Sequence, residues 1–208
     1  MRTLAIECAT PACSVALFDG DALVGHRHEV LGRGHAERLV PFIADLPDRG
    51  HAGRILVSLG PGSFTGARIG IAAARALALA WGCEVLGFHT LDLVAAMAQD
   101  RVGPVPVSVV MTGGHGEWFV RNYDASLSAP GEHRSLPPKQ AAAFVVSEIL
   151  AGSTAERCVE LRGNGEALPM LPDARFALAL PTAALRTDIR AIYGRPPDAR
   201  PVASPPNR

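Results

Sequence analysis

The sequence predicts an α/β protein in which helices pack against a mixed β-sheet. The chain opens with three strand-like segments joined by short turns, which indicates an antiparallel meander. A buried-strand pattern at residues 54–59 then leads through a glycine-rich loop into a long helix pattern of small apolar residues. Strand and helix patterns alternate after that loop, which adds parallel pairing to the sheet.

The first unit is predicted to span residues 1–103. Its strands are expected at 3–7, 13–18, 22–29, 54–59 and 84–88, and its helices at 35–46, 66–81 and 90–99. The first helix is supported by an apolar face with i, i+3, i+4 and i+7 spacing, formed by Leu39, Phe42, Ile43 and Leu46. Pro41 lies inside this pattern and is expected to kink the helix or to delay its start.

The second unit is predicted at residues 104–193, after the turn signal Gly103-Pro104. Its strands are expected at 105–110, 117–123 and 157–161, the first two as a hairpin, and its helices at 137–150 and 182–193. Residues 194–208 are rich in proline and are expected to be extended or disordered.

Composition excludes several classes of protein. The chain has 20 Lys and Arg residues and 20 Asp and Glu residues. Because these charges balance, the chain is a poor candidate for a protein that binds nucleic acid by charge alone. The four cysteines form no C-x-x-C pair and no zinc-ligand spacing, which favours reduced thiols in a cytoplasmic protein. A signal peptide is not evident, and Arg75 and Glu84 interrupt the longest apolar zone, so no membrane span is expected.

The most informative segment is the motif loop, which consists of Gly60, Pro61, Gly62, Ser63, Phe64, Thr65 and Gly66 and is followed closely by Arg68. Such a junction between strand and helix can hold an anion, because free N–H groups point into it. It can equally be a tight connection that packs the helix against the sheet. It is not a P-loop, since Ala67 stands where that motif requires lysine. Ser63 or Thr65 is expected to cap the helix.

The helix after the loop carries a stripe of small residues at every fourth position, formed by Gly66, Gly70, Ala74 and Ala78. A stripe with so few side-chain atoms lets another helix approach closely. Packing inside the subunit and contact with a partner protein both explain this pattern.

Other catalytic chemistry finds little support in the sequence. His26 and His28 are expected on one face of a strand, but no third metal ligand is identifiable. The serine-hydrolase elbow G-x-S-x-G is absent, because Ser63 directly follows Gly62. Glu7 could act as a general base or bind a metal-bound water, although a polar cap of the turn after it is the simpler interpretation. We therefore assign no catalytic residue and no metal ligand.

Five segments in register resemble the TsaB family, the partner subunit of the bacterial machinery that makes threonylcarbamoyladenosine in tRNA. They are residues 4–10 (LAIECAT), 12–17 (ACSVAL), 35–41 (HAERLVP), 60–70 (GPGSFTGARIG) and 87–91 (GFHTL). The second half matches more loosely, at Gly116-Glu117-Trp118-Phe119 and at residues 192–199. The resemblance implies an actin-like ATPase fold (ASKHA, RNase H-like) with two lobes, each having a mixed sheet and helices.

It also implies a non-catalytic subunit that activates a TsaD-type threonylcarbamoyl transferase acting on adenosine 37 of tRNAs that read ANN codons. Partner contact is expected through helices 35–46 and 66–81, at Leu39, Phe42, Ile43, Leu46, Gly66, Gly70, Ala74 and Ala78. A small TsaE-type ATPase joins such complexes, and tRNA is bound only within them. The resemblance leaves room for a nucleotide at the partner interface, with none tightly bound, and for a homodimer of the isolated chain.

The chain also departs from the family pattern. Glu7-Cys8 replaces the usual Asp-Thr, and Thr112-Gly113-Gly114-His115 stands where the family usually reads D-A-R. These changes put nucleotide binding between the lobes in doubt. An independent actin-like ATPase, a metallopeptidase and a free-standing tRNA-binding protein stay open as alternatives. Metal content, ATP hydrolysis and tRNA binding of the pure chain would discriminate between them.

Overall fold

The computed structural model describes residues 1–194, which form two five-stranded mixed sheets in succession along the chain. The first sheet has the order β3-β2-β1-β4-β5. Its strands are β1 Arg2–Glu7, β2 Ala12–Asp19, β3 Ala22–Val30, β4 Arg54–Ser58 and β5 Glu84–Phe88. Strands β1 to β3 form the antiparallel meander that the turn signals predict, and β4 and β5 add parallel pairs.

Three helices pack on this sheet, namely α1 His35–Ala44, α2 Phe64–Trp81 and α3 Thr90–Val102. Helices α1 and α2 cover one face, where their apolar residues share a core with β1, β2 and β4. Helix α3 and a 3-10 helix at Ala174–Ala179 cover the opposite face. Pro41 does not delay α1, which begins at His35 as predicted; its ring lies on the exposed side of the helix.

The second sheet has the order β10-β9-β6-β7-β8. Its strands are β6 Val107–Thr112, β7 Trp118–Tyr123, β8 Arg134–Leu136, β9 Ile149–Ala151 and β10 Glu166–Leu168. The β6–β7 hairpin was predicted, with its first strand placed two residues early. Helix α3 packs on one face of this sheet, and α4 Pro138–Phe144 and α5 Ala155–Arg162 pack on the other.

Two predicted elements of the second half are wrong. The helix expected at 137–150 stops at Phe144, and Ile149–Ala151 pairs in parallel with β6 as the short buried strand β9. The strand expected at 157–161 is helix α5, which ends at Gly163 in the left-handed conformation that favours glycine. Short apolar runs do not distinguish a buried strand from a helical face, so both errors have the same origin.

The helix expected at 182–193 is also wrong. Only Thr182–Ala184 is helical, as a single 3-10 turn. Residues 185–194 run instead along the first lobe, where Arg186 bridges to Gly87 at the edge of β5 and Ile192 N–H donates to Leu59 O at 2.7 Å. The predicted boundary is therefore corrected, because the chain from about residue 173 returns to the first sheet. The predicted 194–208 tail lies, apart from Gly194, outside the described residues.

Within residues 1–194, no helix has the length and apolar character needed to cross a membrane.

Candidate functional site

The motif loop folds tightly against the turn between β1 and β2. Gly60 has φ +93°, and a Cβ added to Gly62 would lie 1.8 Å from the carbonyl oxygen of Ala9. No L-residue with a side chain fits at Gly62 without moving that backbone. The glycines are therefore explained by a close approach of two backbone segments.

Two N–H groups at the start of α2 are used within the chain. Ser63 N–H donates to Ala9 O at 2.6 Å, and Ser63 Oγ accepts the N–H of Gly66 at 3.2 Å. Ser63 is thus the cap, while the other candidate, Thr65, is exposed. Because these donors are occupied, the geometry favours the packing interpretation of the loop over an anion site.

Two other motif residues form an aromatic cluster with a residue distant in sequence. The Arg68 guanidinium lies over the Phe64 ring at 3.6 Å from its centroid, and its Nη2 donates to Tyr193 Oη at 2.8 Å. The Phe64 and Tyr193 rings stack at 5.2 Å, and about half of each side chain is exposed. This cluster was not predicted, since nothing in the sequence links Tyr193 to the motif loop.

The residues of α1 that were predicted to contact a partner are buried. Leu39, Phe42, Ile43 and Leu46 all lie in the core between α1 and the first sheet. The apolar face that predicts the helix is therefore its inward face, and the prediction that these side chains form an external interface is wrong.

The small-residue stripe of α2 also faces inward. A Cβ on Gly66 would lie 2.1 Å from Cys8 O, and one on Gly70 would contact Cys8 Cβ at 3.5 Å. Ala74 is fully buried, and Ala78 is partly buried against the same core. The stripe lets α2 approach β1 closely, so its assignment as a partner surface is corrected as well.

The same two helices turn a different, apolar stripe toward solvent, which we call the outer helical face. It consists of Val40, Pro41 and Ala44 on α1, and Ala72, Ala76, Leu79 and Ala80 on α2. Leu79 is 87% exposed and Val40 is 62% exposed. Since both helices cover the same side of the first sheet, both stripes point away from that sheet.

Nearby charged side chains are held by partners outside the outer helical face. Arg75 Nη2 donates to Ile189 O at 2.5 Å, and Arg38 pairs with Glu29 at 2.7 Å. The outer helical face is thus an apolar surface with a charged border, to which the exposed Glu37 belongs at the N-terminal end of α1. Sequence analysis missed it because α2 has small residues on both sides, and the inward stripe has the clearer repeat.

Glu7 is the last residue of β1 and is fully buried. Its Oε1 accepts the N–H of Ala9 at 2.6 Å, and its Oε2 has no hydrogen-bond partner within the described residues. Burial raises the pKa of Glu7 to about 7, with the nearby Ser58 hydroxyl and the Ala9 N–H acting in the opposite direction. Glu7 therefore caps the turn after β1.

The two histidines of β3 lie on one side of the strand, as predicted, with their rings 6.4 Å apart. His26 Nε2 lies 2.7 Å from Asp173 Oδ1, so a carboxylate from the returning chain is its partner. Among residues 1–194, no group of three or more His, Cys, Asp or Glu side chains is arranged to hold a metal ion.

Comparison with known proteins gives the family context. The TsaD family model, described as tRNA N6-adenosine threonylcarbamoyltransferase, matches residues 25–136. The tRNA threonylcarbamoyladenosine biosynthesis protein TsaB of Escherichia coli (strain K12) is 37% identical over 130 residues, which cover 59% of this chain and 55% of that protein. An uncharacterized protein of Mycobacterium tuberculosis (strain H37Rv) is 31% identical over 213 residues, covering 96% of this chain and 94% of that protein.

Solved structures agree with the fold. YeaZ from Pseudomonas aeruginosa has a TM-score of 0.77 at 26% identity, over 92% of this chain and 99% of that one. The ethanolamine utilization protein EutJ from Carboxydothermus hydrogenoformans has a TM-score of 0.50 at 12% identity, over 86% and 89% of the two chains, and is alike in fold alone. The predicted actin-like ATPase fold with two mixed-sheet lobes is confirmed.

Proposed function

The chain belongs to the TsaB family, within the wider group that the TsaD model describes, and from that premise we propose that it is an accessory subunit of a tRNA-modifying complex. Family membership supports a role in the biosynthesis of threonylcarbamoyladenosine in tRNA. In this proposal the chain binds and activates a TsaD-type transferase that modifies adenosine 37 of tRNAs reading ANN codons. It performs no chemistry of its own.

The observation that carries the proposal is the outer helical face. Leu79 is 87% exposed between the small side chains of Ala76 and Ala80, and Val40 is 62% exposed on the neighbouring helix. A single exposed leucine is ordinary, but an uncharged stripe along two adjacent helices indicates a surface that is covered in an assembly. Small residues around one large apolar side chain suit helix-on-helix packing with a partner of the same fold.

The environment of Glu7 supports the non-catalytic part of the proposal. A general base must come within hydrogen-bond reach of the substrate proton that it removes. Glu7 is sealed from solvent, and Gly62 and Gly66 hold the motif loop against the turn that follows it. Substrate therefore cannot reach this carboxylate without opening the lobe.

Further parts of the proposal follow from the family. A small TsaE-type ATPase joins the complex, tRNA is bound only by the assembly, and a nucleotide, where present, lies at the interface with the transferase. The isolated chain forms a homodimer through the same outer helical face, because a self-complementary patch can pair isologously with its own copy.

Reconstitution with one substitution tests this proposal. We expect Leu79→Glu to abolish the complex with the transferase from the same cell, because a charge would be buried against an apolar partner. Formation of threonylcarbamoyladenosine on tRNA should then fall to the level without this chain. Leu161→Glu is the matched control, since Leu161 is an exposed helical leucine in the second lobe.

Complex mass, tRNA product and circular dichroism are measured for the wild type and both variants. Full activity of the Leu79→Glu complex would contradict the outer helical face as the interface. Product formation that does not depend on the wild-type chain would contradict the accessory role itself. ATP hydrolysis by the isolated chain would favour an independent ATPase instead.

A further inference from the structure

We propose that a cavity at the junction of the two lobes binds the phosphate group of a small ligand. The cavity has a volume of about 280 Å³ and is bounded by the first turn of α3, the end of β7, the loop after β7 and residues 181–186. None of its walls belongs to the motif loop or to the outer helical face. The inference therefore goes beyond the proposed function and does not rest on it.

One wall presents Arg121, which is held rigidly. Its Nη1 donates to Asp92 Oδ1 at 2.7 Å, and its Nη2 donates to Gly131 O at 3.0 Å. Its buried Nε has no hydrogen-bond partner within the described residues. A guanidinium carries five N–H donors, so Arg121 is fixed in place with donor capacity to spare.

Arg186 lines the same cavity from a fixed backbone. Arg186 N–H donates to Gly87 O at 2.8 Å, and Gly87 N–H donates to Arg186 O at 2.7 Å, as in a short antiparallel bridge. The exposed side chain of Arg186 makes no ion pair or hydrogen bond with any residue in the described part of the chain. Its neighbours Asp188 and Arg190 pair with each other instead.

The charge balance of the cavity wall favours an anion. Asp92 is the only carboxylate that lines it, against the two guanidinium groups of Arg121 and Arg186. Tyr123 Oη also donates to Asp92 Oδ1 at 2.7 Å, so this oxygen accepts hydrogen bonds from both Arg121 and Tyr123. Asp124 is close in sequence, but its Oδ1 accepts the N–H groups of its own turn and it does not line the cavity.

A pair of histidines beside the cavity is held neutral. His89 Nδ1 accepts the N–H of Leu91 at 3.2 Å, so the proton lies on Nε2, which donates to His133 Nδ1 at 3.0 Å. Burial lowers the pKa of His89, and the positive charges of Arg121 and Arg186 lower it further. Burial also lowers the pKa of His133, with Arg121 and Arg186 acting in the same direction and Glu132 in the opposite one. The two arginines therefore act on both histidines as nearby positive charges.

Phosphate is the chemical group that this arrangement fits. Guanidinium groups recognise phosphate through paired N–H donors, and the exposed Ser128 adds a hydroxyl to the same cavity. The volume lies just below the range of sites for drug-sized ligands, so the occupant is small. Inorganic phosphate and the phosphate of a nucleoside monophosphate share the required chemistry.

Calorimetric titration of the full chain at low salt tests the proposal, with inorganic phosphate and adenosine monophosphate as separate probes. Saturable binding is expected, and Arg186→Gln should weaken it about tenfold or more, because a hydrogen bond to a charged group is lost. Arg190→Gln is the matched control, since Arg190 lies on the same segment outside the cavity. Amide shifts at Ser128 and Ala184 in nuclear magnetic resonance spectra locate the ligand.

Tighter binding of the monophosphate would identify the nucleoside as part of the ligand, and equal binding would identify phosphate alone. Absence of saturable binding by both probes would overturn the proposal. Equal weakening by Arg186→Gln and Arg190→Gln would also overturn it, since net charge rather than the cavity would then determine affinity.

Discussion

Glu7 is a residue whose chemistry is strongly altered by folding. Burying a carboxylate that lacks a full set of hydrogen-bond partners costs free energy. The protonated form of Glu7 is therefore favoured in the folded chain. Its pKa is raised to about 7 in the folded chain, from 4.5 for an ordinary glutamate. The sequence marks Glu7 as unusual by its place at the end of a buried strand, but its burial depends on tertiary packing, which brings Ser58 and Thr90 next to it.

The raised pKa predicts that stability falls as pH rises. In the unfolded chain Glu7 loses its proton near pH 4.5, whereas in the folded chain it does so near pH 7. The stabilising contribution is therefore fully present below about pH 4.5 and is lost as pH rises through about 7, by an amount on the order of 3 kcal/mol. Urea unfolding of the wild type and of Glu7→Gln at pH 5 and pH 8 measures this loss by difference, because the lowered pKa values of His89 and His133 change stability in the opposite direction.

Glu7→Gln should remove this part of the pH dependence, because the amide does not ionise. Relative to the wild type, the variant should gain stability as pH rises through 7. Glu37→Gln, at an exposed position of α1, is the control and should leave the difference between the two pH values unchanged. A Glu7→Gln protein that keeps the full wild-type difference would show that another group is responsible.

Helix α2 shows why the correct prediction of a helix does not lead to the correct prediction of an interface. The helix is predicted almost to the residue, and Ser63 caps it. Small residues occur on both of its sides, however, with Gly66 and Gly70 inward and Ala72 and Ala76 outward. Periodicity fixes which residues share a face, but only tertiary packing decides which face meets the sheet.

Two substitutions on opposite sides of α2 should therefore differ in stability. Gly70→Leu places a large side chain where even a Cβ would contact Cys8, Ile6 and Val57 at 3.5–3.7 Å. We expect it to reduce the free energy of unfolding by about 1–3 kcal/mol through overpacking. Ala76→Leu adds the same side chain at an exposed position and should change stability by less than about 0.5 kcal/mol.

Equilibrium urea unfolding, followed by circular dichroism, compares the two variants. A Gly70→Leu protein as stable as the wild type would contradict the inward packing of this stripe. A clear loss of stability in Ala76→Leu would contradict the exposure of the outer helical face.

Elements were predictable where a local signal was strong. The turn at Asp19-Gly20-Asp21 marks the β2–β3 hairpin. Gly163 marks the end of α5, although the residues before it are predicted as a strand. Strand β9 was missed because three residues carry no periodicity of their own and become a strand only by pairing with β6. Long-range pairing, rather than local propensity, accounts for the errors in the second half.

The whole molecule is held together by the chain that returns from the second lobe. Residues 185–194 lie along the first lobe, where Ile192 N–H bonds to Leu59 O and Tyr193 bonds to Arg68. A Cβ on Gly194 would lie 1.8 Å from Phe119 Cε1, so the same segment also contacts the second sheet. No sequence pattern predicts this, because the contacts join residues that are at least 75 positions apart.

Loosening this segment should destabilise the lobe on which it lies. Ile192 is partly buried against the core shared by α2, β1 and β4, so Ile192→Ala should cost about 1–2 kcal/mol, toward the low end for a truncated aliphatic side chain. Its backbone bond to Leu59 lies directly before the motif loop, and amide exchange should therefore rise in residues 59–66 as well as near the substitution. Val146→Ala, at a side chain 70% exposed, is the control and should change neither quantity. Faster exchange confined to the immediate neighbours of residue 192 would mean that the returning chain lies on the first lobe without stabilising the motif loop.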